Sequence, residues 1–187
     1  MHYTTCTASS VFMLPKLGHL EAHFCLRLAQ VKNSEGQDQE TMSSCFKDAS
    51  FDFFYVSFDF CYLTDKFLGA LLPCLRNVTD LSLCNSNITI LPSSISASLS
   101  LTTLRLNECK ELLEIKGLPP NIKFLYAFNC TSLTSKSKEM LLNQTLHETG
   151  GKRFLLPGST IPSWLNCSSK GLSMRFWFRN KFPAITL

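Results

Sequence analysis

Apolar and polar positions along this chain repeat one short spacing, apolar-x-x-apolar-x-small/apolar-x-x-polar. The copies begin at Leu17 (Leu17, Leu20, Ala22, Cys25), Phe53 (Phe53, Val56, Phe58, Cys61), Val78 (Val78, Leu81, Leu83, Ser86), Leu101 (Leu101, Leu104, Leu106, Cys109) and Ile122 (Ile122, Leu125, Ala127, Cys130). Alternation around the fourth position predicts one short strand per copy, because successive side chains of a strand point to opposite faces. The fourth and sixth positions then face a core, and the third, fifth and seventh face away from it. The small polar or thiol group at position nine falls where the chain leaves the strand. There it can stack with its equivalents and hydrogen-bond backbone groups that no ladder satisfies.

The last four copies are offset by 25, 23 and 21 residues, inside the roughly 20–29 residue period of leucine-rich repeats. The predicted fold is therefore an α/β leucine-rich-repeat solenoid, with short parallel strands and an irregular convex side. Residues 1–16 form an opening segment and 17–134 the repeats. The first step, from Leu17 to Phe53, is too long for one repeat, and the polar, glycine-bearing stretch within 31–50 reads as a surface insertion. Leu91-Pro92 and Leu118-Pro119-Pro120 fall between strands, where proline removes no ladder donor.

Ser135 is expected to cap a helix running to about His147, with Gly150-Gly151 as its stop. Residues 135–150 are thus a helix and linker. Beyond them the period changes: Arg153–Gly158 reads as a strand entering a turn, and Leu172, Met174, Phe176 and Phe178 alternate with polar or outward residues. Residues 151–187 are read as a partial β-rich unit. The chain ends within the apolar run Phe182–Leu187, and the expectation is a piece of a longer protein, since a solenoid needs its ends covered.

At 187 residues and 45% hydrophobic the chain can bury a real core. Its +4 charge is scattered, without the basic run that marks a nucleic-acid or membrane surface. No apolar stretch reaches the roughly 18 residues of a spanning helix, and Met1–Cys6 lacks the features of a signal peptide. Of nine cysteines, Cys25, Cys61, Cys109 and Cys130 occupy position nine, and no C-x-x-C pair occurs. Reduced thiols and a cytoplasmic location, with the nucleus as the alternative, are expected. Five sequons (Asn77, Asn87, Asn129, Asn143, Asn166) point the other way, but a Ser/Thr/Asn-rich chain produces such triplets by chance.

From Leu112 onward the residues resemble a known family. They include Leu112 and Ile115 before Gly117–Lys123, Asn129–Ser135, Met140–Gln144 with Leu146–Glu148, then Phe154, Pro157-Gly158-Ser159, Ile161-Pro162 and Trp164, and finally Phe176–Pro183. Together they look like the C-terminal region of plant TIR-type nucleotide-binding leucine-rich-repeat immune receptors. The likeness covers roughly residues 9–187 and is close from Leu101 on. It implies that the Pro-Gly-x-x-Ile-Pro-x-Trp stretch, residues 157–164, opens the jelly-roll/Ig-like domain that follows the repeats. It also implies recognition of a pathogen effector or a guarded host protein, and contact with receptor domains not contained here. The family's TIR and nucleotide-binding activities do not carry over. The only Gly-Lys, Gly151-Lys152, precedes Arg153 and lacks the upstream glycine of a P-loop, so no cofactor is expected.

Catalysis and metal binding find little support. The predicted strand sets His19 and His23 about 13 Å apart, too far for one metal, and a Cys25–His23 nucleophile pair competes with the ladder role of Cys25. The candidate functional residues are instead the outward positions of the strands: Tyr55, Ser57 and Asp59; Asp80 and Ser82; Thr103, Arg105 and Asn107; Phe124, Tyr126 and Phe128. His19, Glu21, His23 and Cys84 share those positions. Three alternating aromatics on one solvent face tend to mark an interface, unless the following helix or jelly-roll packs over them. The leading reading is a protein-binding module of an immune receptor, not an enzyme, with no nucleic-acid or membrane partner. The alternative is a non-immune repeat adaptor or a non-functional gene fragment; an extracellular receptor would need a leader and paired cysteines.

Overall fold

The computed structural model describes residues 18–23, 54–147 and 151–158. Its main sheet is built from six three-residue strands: β1 His19–Glu21, β2 Tyr55–Ser57, β3 Asp80–Ser82, β5 Thr103–Arg105, β7 Phe124–Tyr126 and β8 Arg153–Leu155. All pair in parallel, in the order β1-β2-β3-β5-β7-β8. Parallel neighbours require the chain to return on the other side between strands. Those returns hold a second, two-stranded parallel ladder, β4 (Ile90–Leu91) with β6 (Glu114–Ile115), and short helices. The described residues are thus α/β: a parallel sheet backed by short, irregular returns.

The register follows the apolar spacing residue for residue. Leu20, Val56, Leu81, Leu104, Leu125 and Phe154 lie side by side across the sheet, each buried. Phe58, Leu83, Leu106 and Ala127 at position six are buried with them. Opposite stand Leu63, Phe67, Leu68, Leu71, Ile88, Leu91, Ile95, Leu112, Ile115 and Leu141, so one apolar layer separates the sheet from its returns.

Position eight turns the chain out of each strand. Phe60, Asn85, Glu108 and Asn129 all have left-handed backbones, with φ of 58°, 54°, 62° and 60°. The bend lets an amide reach across to the next strand: Phe60 N donates to the Cys84 carbonyl at 2.9 Å, Asn85 N to Asn107 at 2.8 Å, and Glu108 N to Phe128 at 2.8 Å. Position nine then reaches back one copy. Cys61 Sγ donates to the Ala22 carbonyl (3.0 Å), Cys109 Sγ to Leu83 (3.1 Å) and Cys130 Sγ to Leu106 (3.0 Å). Ser86 instead bonds Leu83 in its own copy at 2.8 Å. Cys61, Cys74, Cys84, Cys109 and Cys130 are reduced. A hydrogen bond with Cys109, together with burial, pushes the Cys130 thiol above its usual range, so it keeps its proton.

The returns carry helix α1 (Asp65–Leu71), α2 (Ser135–Leu141) and α3 (Gln144–His147). Asp65 Oδ1 accepts the amides of Thr89 (2.8 Å) and Ile90 (3.1 Å), fastening α1 to the start of β4. Ser137 Oγ does the same for β6, accepting Ile115 N at 3.0 Å. The expected single helix from Ser135 to His147 differs in two ways. Its N-cap is Thr134, whose hydroxyl accepts from Ser137 N, and it breaks after Leu141. Asn143 restarts it by accepting the Thr145 amide at 2.9 Å, the usual local competition of an Asn side chain with helix backbone.

Arg153–Leu155, expected to open a separate β-rich unit, is the sixth strand of the same sheet, paired Phe124↔Arg153 and Tyr126↔Leu155. The expected insertion at 31–50, the strand at 172–178 and both tryptophans lie outside the described residues.

Candidate functional site

Because the core layer covers one side of the sheet, the other side presents positions three, five and seven of every strand. Along this open face the chemistry changes from one end to the other. On β1, Glu21 holds two imidazoles: His19 Nε2 lies 2.9 Å from Oε1 and His23 Nε2 3.5 Å from Oε2. The hydrogen bond from His19 is the main influence drawing the Glu21 carboxyl below its usual range. His19 also stacks on Tyr55 of β2, ring centres 4.3 Å apart. Among the described residues no group of three or more His, Cys, Asp or Glu side chains is placed to hold a metal ion. Cys25, the postulated partner of His23, lies outside them.

The middle of the face corrects part of the sequence reading. Ser57, Ser82 and Thr103 point outward but are only 0%, 1% and 6% exposed. Strands about 4.8 Å apart leave a short side chain shadowed by longer neighbours on either side, so direction does not ensure exposure. Ser82 Oγ donates to Asp59 Oδ1 at 2.6 Å, and the same oxygen accepts the Cys84 amide at 2.7 Å. Asn107 Oδ1 likewise accepts the Phe128 amide at 3.0 Å. Asp59 and Asn107 therefore stitch strand to strand, each at position seven and each through its Oδ1.

Both ends of the face are accessible: His19, Glu21 and His23 are exposed at one, and the C-terminal strands form the other. Arg105 donates to Asp80 Oδ1 at 3.2 Å, and its guanidinium lies 5.8 Å from the Tyr126 ring centre, spanning β3, β5 and β7. Phe124 and Tyr126 are half-buried, whereas Phe128 is 58% exposed. The following helix does not cover them, since Ser137 anchors α2 to β6 on the far side of the core.

β8 adds two residues that the sequence reading did not assign to this face, Arg153 beside Phe124 and Leu155 beside Tyr126. Leu155 is 42% exposed. A signal for them exists, because Phe154, Leu156 and Ser159 match positions four, six and nine of the spacing. Gly151 at position one, where the other copies carry a large apolar residue, hides the match.

No protein-family model, no curated protein and no solved structure matches this chain. No helix among the described residues is long and apolar enough to cross a membrane.

Proposed function

We propose that this chain is part of a leucine-rich-repeat solenoid whose open face binds another protein. The observation that carries the proposal is the shared register of six strands. It buries one row of side chains and sets Arg105, Tyr126, Phe128 and Leu155 together on the opposite side. Rigid aromatic area beside a guanidinium suits a protein interface, because such groups give large contact area with few rotors to immobilise. The left-handed turn at position eight and the backward hydrogen bond at position nine support the solenoid reading, since the strand exits of one copy are bonded by the adjacent copy.

The resemblance of the sequence to plant TIR-type nucleotide-binding leucine-rich-repeat receptors supports a pathogen effector or a guarded host protein as the proposed partner. On this reading the chain works in the cytoplasm or nucleus as a binding region, with no catalysis, cofactor, nucleic-acid partner or membrane partner proposed for it. The post-repeat jelly-roll domain begins, on this reading, within residues 151–187.

The test expresses the complete transcript containing this chain in leaf tissue together with candidate pathogen proteins. Arg105→Glu and Phe128→Ser are expected to abolish the cell-death response at unchanged protein level. A full response from both variants would overturn the reading.

A further inference from the structure

Charge along the open face is polarised. Its carboxylates, Glu21, Asp59 and Asp80, lie on or just after the first three strands. Its guanidiniums, Arg105 and Arg153, lie on the last three, on either side of β7 with its Phe124 and Tyr126. Asp80 meets Arg105 through one nitrogen at 3.2 Å, which leaves the rest of that guanidinium's donors directed elsewhere. Arg153 is exposed, and among the described residues its guanidinium has no ion pair or hydrogen bond. At the turns of this half, Glu108 accepts from Asn129 Nδ2 at 2.8 Å.

We infer that the segment recognised by the C-terminal half of this face is an acidic peptide carrying an aromatic or aliphatic anchor. The inference rests on the protein-binding reading above and adds the chemistry of the partner. The anchor would lie against Tyr126, Phe128 and Leu155, an apolar patch open to solvent. Carboxylates flanking it would meet Arg153 and the free edge of Arg105, whose planar forks match carboxylate geometry. The same acidic segment is repelled by Glu21, Asp59 and Asp80, which fixes which end of the face it occupies. A basic segment has the opposite preference, so charge complementarity selects partner and position together.

The experiment uses the full chain and three labelled synthetic peptides, read by fluorescence anisotropy. One alternates Asp/Glu with Leu and Phe; its twin replaces the acids by Lys/Arg; the third keeps the acids and replaces the apolar residues by Ser. The first is expected to bind at least about tenfold more tightly than either other, and to weaken as salt rises. Arg153→Glu and Phe128→Ser are each expected to remove most of that preference while melting like the wild type, since both side chains are exposed. Lys136→Ala, which removes an exposed charge on α2 beyond the core, is expected to leave it unchanged.

Equal binding of the acidic and basic peptides, tighter binding of the basic one, no binding at all, or displacement by a single-stranded oligonucleotide would each overturn the inference. A leaf response that depends on Phe128, combined with any of these results, would sink the acidic assignment alone and leave the protein-binding reading standing.

Discussion

Leu104 and its neighbours show how far single residues determine this fold. Leu104 is fully buried in a core one layer thick, with Leu81 and Leu125 as its pairs. Leu104→Ala is expected to cost about 2–5 kcal/mol in denaturant melts, because so thin a core collapses poorly around a cavity. Lys123→Ala, at an exposed site, is expected to change stability by less than about 0.5 kcal/mol. Equal losses would refute the register. Phe60 makes a second case. It holds a left-handed backbone that Asn at the equivalent sites 85 and 129 adopts with less strain. Phe60→Asn is expected to raise stability by roughly 0.5–1 kcal/mol, read from the same melts. Core positions were legible in the sequence because burial follows period. The burial of Ser57, Ser82 and Thr103 was not, since it depends on the size of residues on adjacent strands that lie over twenty places away.

At the scale of elements, the strands read well and their returns poorly. A three-residue strand needs only one apolar residue between two outward ones, and that pattern survives in every copy. The returns instead depend on individual polar side chains meeting distant backbone. Asp65 accepts the amides of Thr89 and Ile90 and the Thr89 hydroxyl, a set of bonds with no periodic signature. Asp65→Ala is expected to cost about 2–3 kcal/mol, since it leaves half-buried amides without a charged acceptor, and Asp65→Asn to recover part of that. Loss of stability no larger than for Lys123→Ala would show that the α1–β4 link contributes nothing. β8 escaped the period for a related reason. Two short helices and Gly151 separate it from β7, and the step from Leu125 to Phe154 exceeds the 25, 23 and 21 residues of the preceding steps.

For the whole molecule, the C-terminal end of the sheet carries a titratable group in its packing. His147 is buried, its Nε2 2.8 Å from the Leu141 carbonyl and its ring against Phe154 at 4.9 Å. Burial is the main influence lowering its pKa, and the Lys152 charge adds to it, while the Leu141 carbonyl opposes. The folded state therefore resists protonation that the unfolded chain accepts near its ordinary value of 6.5. Its contribution is complete above that value and is lost as pH falls below it. The melting temperature is expected to fall more between pH 7 and pH 5 for the wild type than for His147→Leu, the difference isolating this one group. Parallel curves would remove His147 from the account.

The open face as a recognition surface is tested most directly by pairing one residue on it with one beneath it. In the leaf assay, cell-death response is measured against immunoblotted protein for Tyr126→Ala and Leu104→Ala. Tyr126 is half-buried on the open face, and Leu104 is fully buried one strand away. Tyr126→Ala is expected to lose the response at wild-type accumulation, whereas Leu104→Ala loses response and protein together. A Tyr126→Ala response that declines only in step with its protein level would assign the aromatic strand to folding, and would contradict recognition through this face.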